Sequence, residues 1–294
     1  GHSAAFAEGE IAPLDEPGDR QGCRLENGRV RMPDGFAAVY REYAAMGWPG
    51  LTAPEAFGGQ GMSAVIGAVT SEIFTGANHS LQMVTGLVPG AVRTLLAFGT
   101  EEQQARLIPA LASGAMLSTM CLTEPGAGSD VVSMKLRAEK RNDHYKLNGN
   151  KYWITNGPDA DTLVVYAKTD PDAGSKGITA FLIEKTMKGF STSPHFDKLG
   201  MRGSNTAELI FDNVEVPFEN VLGEEGRGVR VLMSGLDYER VVLAGIGLGI
   251  MAACLDEIMP YMAERKQFGQ PIGSFQLMQG KMADMYTAMN SARA

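Results

Sequence analysis

Along residues 34–46 the apolar positions Phe36, Val39, Tyr40, Tyr43 and Met46 recur at intervals of three and four, the repeat of a helix with one buried face. Gly47 ends that run. The same repeat predicts helices over residues 63–75 and 81–98, the second kinked or divided at Pro89-Gly90. Thr100 and Gln103 are spaced as a capping box ahead of Leu107, Ile108 and Leu111, and Gly114 closes that helix. Beyond Ala115 the texture changes. Residues 163–166, 178–183 and 207–216 are rich in β-branched and aromatic side chains and separated by turn residues, which predicts strands. Asn148-Gly149 reads as a hairpin turn between strands at 145–147 and 151–155, Asp212-Asn213 as a bend or bulge in the last strand, and Pro217 as the end of the sheet. Helical periodicity returns from Gly228 to about Glu264, then a Gly/Pro turn leads into a second helix from Ser274.

The α, β, α order predicts an α+β multidomain chain. An N-terminal α-helical domain covers 1–118, a middle β-barrel or β-sandwich domain covers 119–222, and a C-terminal α-helical bundle covers 223–294. The last helix carries Leu277, Met278, Met282, Met285 and Met289 on its apolar side and shows no capping signal before Ala294, so the bundle is expected to be truncated here.

Composition narrows the function classes. A chain of 294 residues, 44% hydrophobic and 20% charged, can bury a core and is long enough for two or three domains. Its 36 glycines exceed the usual ~7%, pointing to tight turns or close backbone contact with a ligand. A net charge of −8 without a long basic run gives no support to a nucleic-acid surface. Three scattered cysteines (Cys23, Cys121, Cys254) and four unpaired histidines predict neither a metal site, a disulfide framework nor a His-based triad. The longest uncharged apolar stretch, 241–255, falls short of the ~20 residues needed to cross a bilayer and reads as a buried helix. No apolar segment with basic flanks opens the chain, so no signal or transit peptide is expected and a cytosolic location is the default.

Two places carry candidate chemistry. The string CLTEPGAGSD at 121–130 sets Thr, Ser and glycines just after an apolar strand, where hydroxyls and amides can approach an anionic or heteroaromatic ligand; a plain turn explains it equally well. Glu239 lies in the middle of a helical stripe formed by Leu232, Leu236, Leu243, Ile246 and Ile250. Burial there raises a carboxyl pKa toward the range of a general base; the competing reading pairs it with a cation such as Arg240. Gly245, Gly247 and Gly249 fall inside a helix rather than after a strand, which assigns them to close packing rather than to a dinucleotide. The 17 methionines read as fillers of helical cores.

The string from Cys121 to Ser133 resembles the first signature of the acyl-CoA dehydrogenase family. YWITNG at 152–157, KLGMRGS at 198–204 and ERKQFG at 264–269 with Gln276 resemble further family segments in the same order. The resemblance implies an FAD-dependent enzyme that oxidises an acyl-CoA to the trans-2-enoyl-CoA and passes electrons to an electron-transferring flavoprotein. It implies FAD contacts at Leu122, Thr123, Gly128 and Ser129, with Trp153, Ile154 and Thr155 beside the isoalloxazine. Arg265, Phe268 and Gln276 would reach the FAD of a neighbouring subunit in a homodimer or homotetramer. Ser129 also matches a position near the acyl-CoA, and Ser175, Asp237, Tyr238 and Arg240 match positions that meet its CoA portion. Glu239 matches the catalytic base of the isovaleryl-CoA and long-chain branches, and no metal is implied. In the family the thioester carbonyl is polarised by the flavin ribityl hydroxyl and the amide of the catalytic glutamate.

From about residue 117 onward the chain resembles the isovaleryl branch, which implies a short branched substrate and a place in leucine breakdown. Arg230 stands where that branch often has an aromatic residue. Residues 18–28, Gly47-Trp48 and 57–61 look more like enzymes acting on 3-methylthiopropanoyl-CoA. The alternatives are therefore a dehydrogenase for another acyl-CoA, including that one, or a catalytically silent fragment or fusion. The implied location is a bacterial cytoplasm or a mitochondrial matrix.

Overall fold

The computed structural model describes residues 1–26 and 29–294; Asn27 and Gly28, in the segment likened to the 3-methylthiopropanoyl branch, lie outside the described residues. The N-terminal part is helical: α1 (His2–Phe6), α2 (Asp15–Gln21), a small hairpin of β1 (Arg24–Glu26) and β2 (Arg29–Arg31), then α3 (Phe36–Ala45), α4 (Ala64–Ala77), α5 (His79–Thr85), α6 (Val88–Phe98) and α7 (Glu101–Ala112). Side chains define several starts. The Asn78 side chain accepts from Leu81 N at 3.0 Å to open α5. Both bonds of the Thr100/Gln103 capping box are formed, at 3.2 and 3.0 Å. The helix predicted over 81–98 is two helices. Pro89 falls in the first turn of α6, where a missing N–H leaves no bond unmade.

The middle part is one eight-stranded mixed sheet: β3 (Ser118–Cys121), β4 (Arg137–Lys140), β5 (His144–Thr155), β6 (Thr162–Lys168), β7 (Ile178–Glu184), β8 (Phe190–Thr192), β9 (Thr206–Pro217) and β10 (Val221–Leu222). The strand order is β10-β7-β6-β4-β5-β9-β8, with β3 parallel to β6. Asn148-Gly149 is not a hairpin turn. It lies inside β5, where Gly149 takes φ +134° beside a register shift and the Asn148 side chain accepts from Asn213 N at 2.9 Å. Partners on both edges, β4 and β9, reward a continuous strand more than a local reversal would, so the permissive dipeptide serves as a bulge. Asn213, at φ +54°, forms the irregularity expected in β9.

The C-terminal part comprises α8 (Gly228–Val242), α9 (Ala244–Glu264), a hairpin of β11 (Lys266–Gln267) and β12 (Gln270–Pro271), and α10 (Gln276–Arg293). Gly249 explains how α9 packs: a Cβ there would lie 2.2 Å from Glu72 O, so the backbones of α4 and α9 touch. The buried stripe around Glu239 is only partly realised. Leu232 is 2% exposed, but Leu243 and Ile250 are 50% and 38% exposed, and a turn at Leu243 separates α8 from α9. The helical stretches His79–Phe98 and Gly228–Glu264 are long and apolar enough to cross a membrane by length and composition alone, beyond the fifteen residues counted above. The first places Leu81, Val84, Val88, Val92 and Leu95 in the protein core.

Two cores position the site. One lies within the sheet around Cys121, Leu147, Phe181 and Phe211. The other joins helices to sheet, packing Val92, Leu95, Leu107, Ile108 and Leu111 with Tyr166, Leu182, Val231 and Leu232. Tyr166, on β6, belongs to this second core and also faces a cavity.

Candidate active site

Between the sheet and the helices lies a cavity of about 320 Å³, within the range of small-molecule sites. Met120 on β3, Val164 and Tyr166 on β6, and Tyr238 and Glu239 on α8 form part of its wall. The Glu239 carboxylate has no hydrogen bond or ion pair among the described residues. Arg240, the cation weighed as its partner, instead pairs with Asp237 at 3.2 Å on the exposed side of the helix. Burial alone raises the Glu239 carboxyl above its ordinary 4.5. Tyr166 is shifted upward too, first by burial and then by the Glu239 charge. Helix α6 runs close by: a Cβ on Gly90 would lie 3.4 Å from Glu239 Oε1.

Tyr238 is held under the Arg93 guanidinium, 4.1 Å from its ring centroid. A polar stretch of the wall comes from the N-terminal helices. Gln82 Nε2 donates to Ser71 Oγ at 2.9 Å, and Thr85 Oγ1 lies 3.3 Å from Gln82 Oε1.

Beyond Met120 the same strand continues into the loop at 122–129. Leu122 and Thr123 are half-buried and Gly128 and Ser129 exposed; neither the Thr123 nor the Ser129 hydroxyl has a partner among the described residues. A Cβ added at Gly126 or Gly128 would meet nothing within 4 Å, so this backbone is open to approach. On β5, Trp153 is 57% exposed and adopts φ +60° at the register shift between Lys151 and Ile154. Its ring centroid lies 5.2 Å from that of Tyr152 and 4.6 Å from that of Phe196. An open flat indole, uncommitted hydroxyls and bare glycine backbone suit an aromatic, phosphate-bearing cofactor such as FAD. The Ile154 side chain is 3% exposed and belongs to the sheet core, leaving only its backbone for a ligand. The Thr155 carbonyl accepts from Thr119 Oγ1 at 2.6 Å.

The remaining predicted positions lie off the cavity wall. Ser175 is exposed in the turn Gly174–Gly177, and Asp237 and Arg240 are exposed on α8. Arg265, Phe268 and Gln276 are all exposed around the β11–β12 hairpin and the start of α10, with Phe268 93% exposed. In the interior of α8 the Glu239 N–H points back along the helix toward the preceding turn.

Sequence reasoning missed Tyr166, Gln82, and Lys151 with Glu124. Lys151 had a signal, because it shares strand parity with Tyr145 and Leu147, both buried. For Gln82, nothing in helical spacing separates a cavity wall from a packed face.

Residues 2–115, 119–214 and 226–294 match the N-terminal, middle and C-terminal domains of acyl-CoA dehydrogenases. An isovaleryl-CoA dehydrogenase of Arabidopsis thaliana is 54% identical over 98% of this chain and 69% of its own length. A 2-methylacyl-CoA dehydrogenase of Solanum tuberosum is 49% identical over 99% of this chain and 69% of its own. The structure of an acyl-CoA dehydrogenase complexed with FAD from Bacillus anthracis superposes with a TM-score of 0.88 at 34% identity, covering 98% of this chain and 47% of that one.

Proposed function

Because the chain belongs to the acyl-CoA dehydrogenase family of flavin-dependent oxidoreductases, we propose that it desaturates a short branched acyl-CoA to the trans-2-enoyl-CoA, with Glu239 as the base. The observation that carries this reading is the Glu239 carboxylate, half-buried on an otherwise largely apolar cavity wall, raised in pKa and without a cation. Such a group takes a proton readily as the α-carbon of a bound thioester releases it. FAD, when bound, supplies the acceptor for the hydride that leaves the β-carbon. Thr123, Gly128 and Ser129 would hold its polar parts, with Trp153 and the backbone of Leu122, Ile154 and Thr155 beside the ring. Tyr238 lines the cavity, and with the exposed Ser175, Asp237 and Arg240 it is a candidate for the CoA portion. Arg265, Phe268 and Gln276 are assigned to a neighbouring subunit's FAD, and an electron-transferring flavoprotein is the proposed electron acceptor. The proposed division of the chain is 1–118, 119–222 and 223–294, with the cavity shared among all three. The proposed location is a bacterial cytoplasm or a mitochondrial matrix, the latter agreeing with the names of the plant relatives.

The test is anaerobic: substrate-dependent bleaching of bound flavin in the parent protein and in Glu239→Gln. The variant should bind FAD and bleach far more slowly; bleaching at the parent's rate refutes the base. A second substrate reading rests on the 2-methylacyl relative, almost as similar as the isovaleryl one. Titration with isovaleryl-, 2-methylacyl- and 3-methylthiopropanoyl-CoA separates these, the strongest response naming the substrate.

A further inference from the structure

Glu124 and Lys151 form an ion pair that the proposed chemistry does not use. Their side chains are 6% and 0% exposed, and among the described ion pairs this is the one with both partners shut off from water. Every strong contact is directed. Lys151 Nζ donates to Glu124 Oε1 at 2.9 Å and to Leu122 O at 2.9 Å. Glu124 Oε1 also accepts from Leu136 N at 3.0 Å, and Oε2 accepts from Lys135 N at 2.5 Å. The pair thus ties together three segments: the loop after β3, the approach to β4, and β5.

What adjoins it gives the pair a role. One residue beyond Lys151, Tyr152 N donates to Thr123 O at 2.8 Å, a second tie between β5 and the same loop. The next residue is Trp153, bulged out of register at φ +60°. A tryptophan in the left-handed region is unfavourable by itself and persists only where its surroundings leave no alternative. A hydrophobic pair of equal volume would fill the space at less cost in desolvation. Packing alone therefore does not account for the charges, whereas the aim of each lone pair and N–H does.

We propose that Glu124 and Lys151 are positioning residues for the flavin, fixing the angle between the loop at 122–129 and Trp153 so that the open hydroxyls and the indole address one ring system. The inference rests on the FAD reading above and goes beyond it by assigning geometry to a pair that touches neither cofactor nor substrate.

The experiment titrates FAD into apoprotein from the parent, Glu124→Asp, and the double variant Glu124→Gln/Lys151→Met. It reads affinity, the visible circular dichroism of bound flavin, and the melting temperature of the apoprotein. The double variant is expected to melt close to the parent, bind FAD at least ~10-fold more weakly and alter the flavin dichroism, which a purely structural role would leave unchanged. Parent-like affinity and dichroism in a folded double variant overturn the proposal. Should the double variant not fold, the charge-conserving Glu124→Asp, which keeps the ion pair's charges but withdraws the carboxylate from its donors, decides by the same two readouts. If the parent itself binds no FAD, the functional reading fails first and takes this inference with it, an outcome distinct from either of the others.

Discussion

Two glutamates withdrawn from bulk water meet opposite fates. Glu124, under the loop that follows β3, faces one ammonium and two backbone N–H groups. Glu239, on α8, faces a cavity and has no partner of its own. A fully compensated carboxylate is fixed in place and chemically quiet. An uncompensated one is held at a higher proton affinity and left available. The residue type is the same, so the difference lies in the donors each backbone happens to bring near. That contrast is the physical basis for reading one as scaffold and the other as base.

The largest expected effect lies on the reactive side. Glu239→Gln should slow substrate-dependent flavin reduction by about 10²–10⁴-fold, the usual worth of a positioned general base, with FAD still bound. A near-normal rate by stopped-flow absorbance would erase the distinction between the two carboxylates. On the quiet side, Lys151→Met strands a buried charge and should cost about 3–5 kcal/mol in denaturant unfolding, while the double variant with Glu124→Gln recovers most of it. Equal losses in the single and the double variant would mean that the pair is not coupled.

Legibility in the sequence followed the range of the forces involved. Helices with a local cap and a regular stripe, such as α3 and α7, were readable because Phe36, Val39 and Tyr43 and the Thr100/Gln103 box act within a few residues. Asn148-Gly149 misled because the choice between turn and bulge is made by β9, some sixty residues away in the chain. Glu239 was readable as a withdrawn carboxylate, but its lack of a cation was not, since Arg240 turns to Asp237 only when the helix face is oriented by packing. The cavity itself, with Gln82 and Tyr166 in its wall, is assembled from distant segments and leaves no local trace.

A smaller effect tests how closely α6 guards Glu239. Gly90→Ala puts a methyl against Oε1 where the glycine leaves 3.4 Å to an added Cβ. Replacing glycine in a helix should add about 0.5–1 kcal/mol of stability. The extra desolvation should shift the acid limb of the rate profile to higher pH. A gain in stability with an unmoved acid limb would show that the carboxylate does not lie against this helix during catalysis.

The smallest effect is thermodynamic, and it separates the two glutamates without any substrate. The native carboxyl of Glu239 titrates above its ordinary 4.5, because burial disfavours the charged form. Below that ordinary value the group is protonated in both folded and unfolded chains and contributes nothing. As pH rises, the unfolded chain releases its proton first, and above the native pKa the folded state bears the whole cost of a poorly solvated charge. Glu239→Gln removes that cost. The variant should therefore be more stable than the parent at neutral pH, by a few tenths of a kcal/mol once partial solvent exposure is allowed for, and the advantage should vanish toward pH 4. Melting curves across that range give the answer. A difference that stays flat, or a variant less stable throughout, would mean that Glu239 is compensated after all and belongs with Glu124.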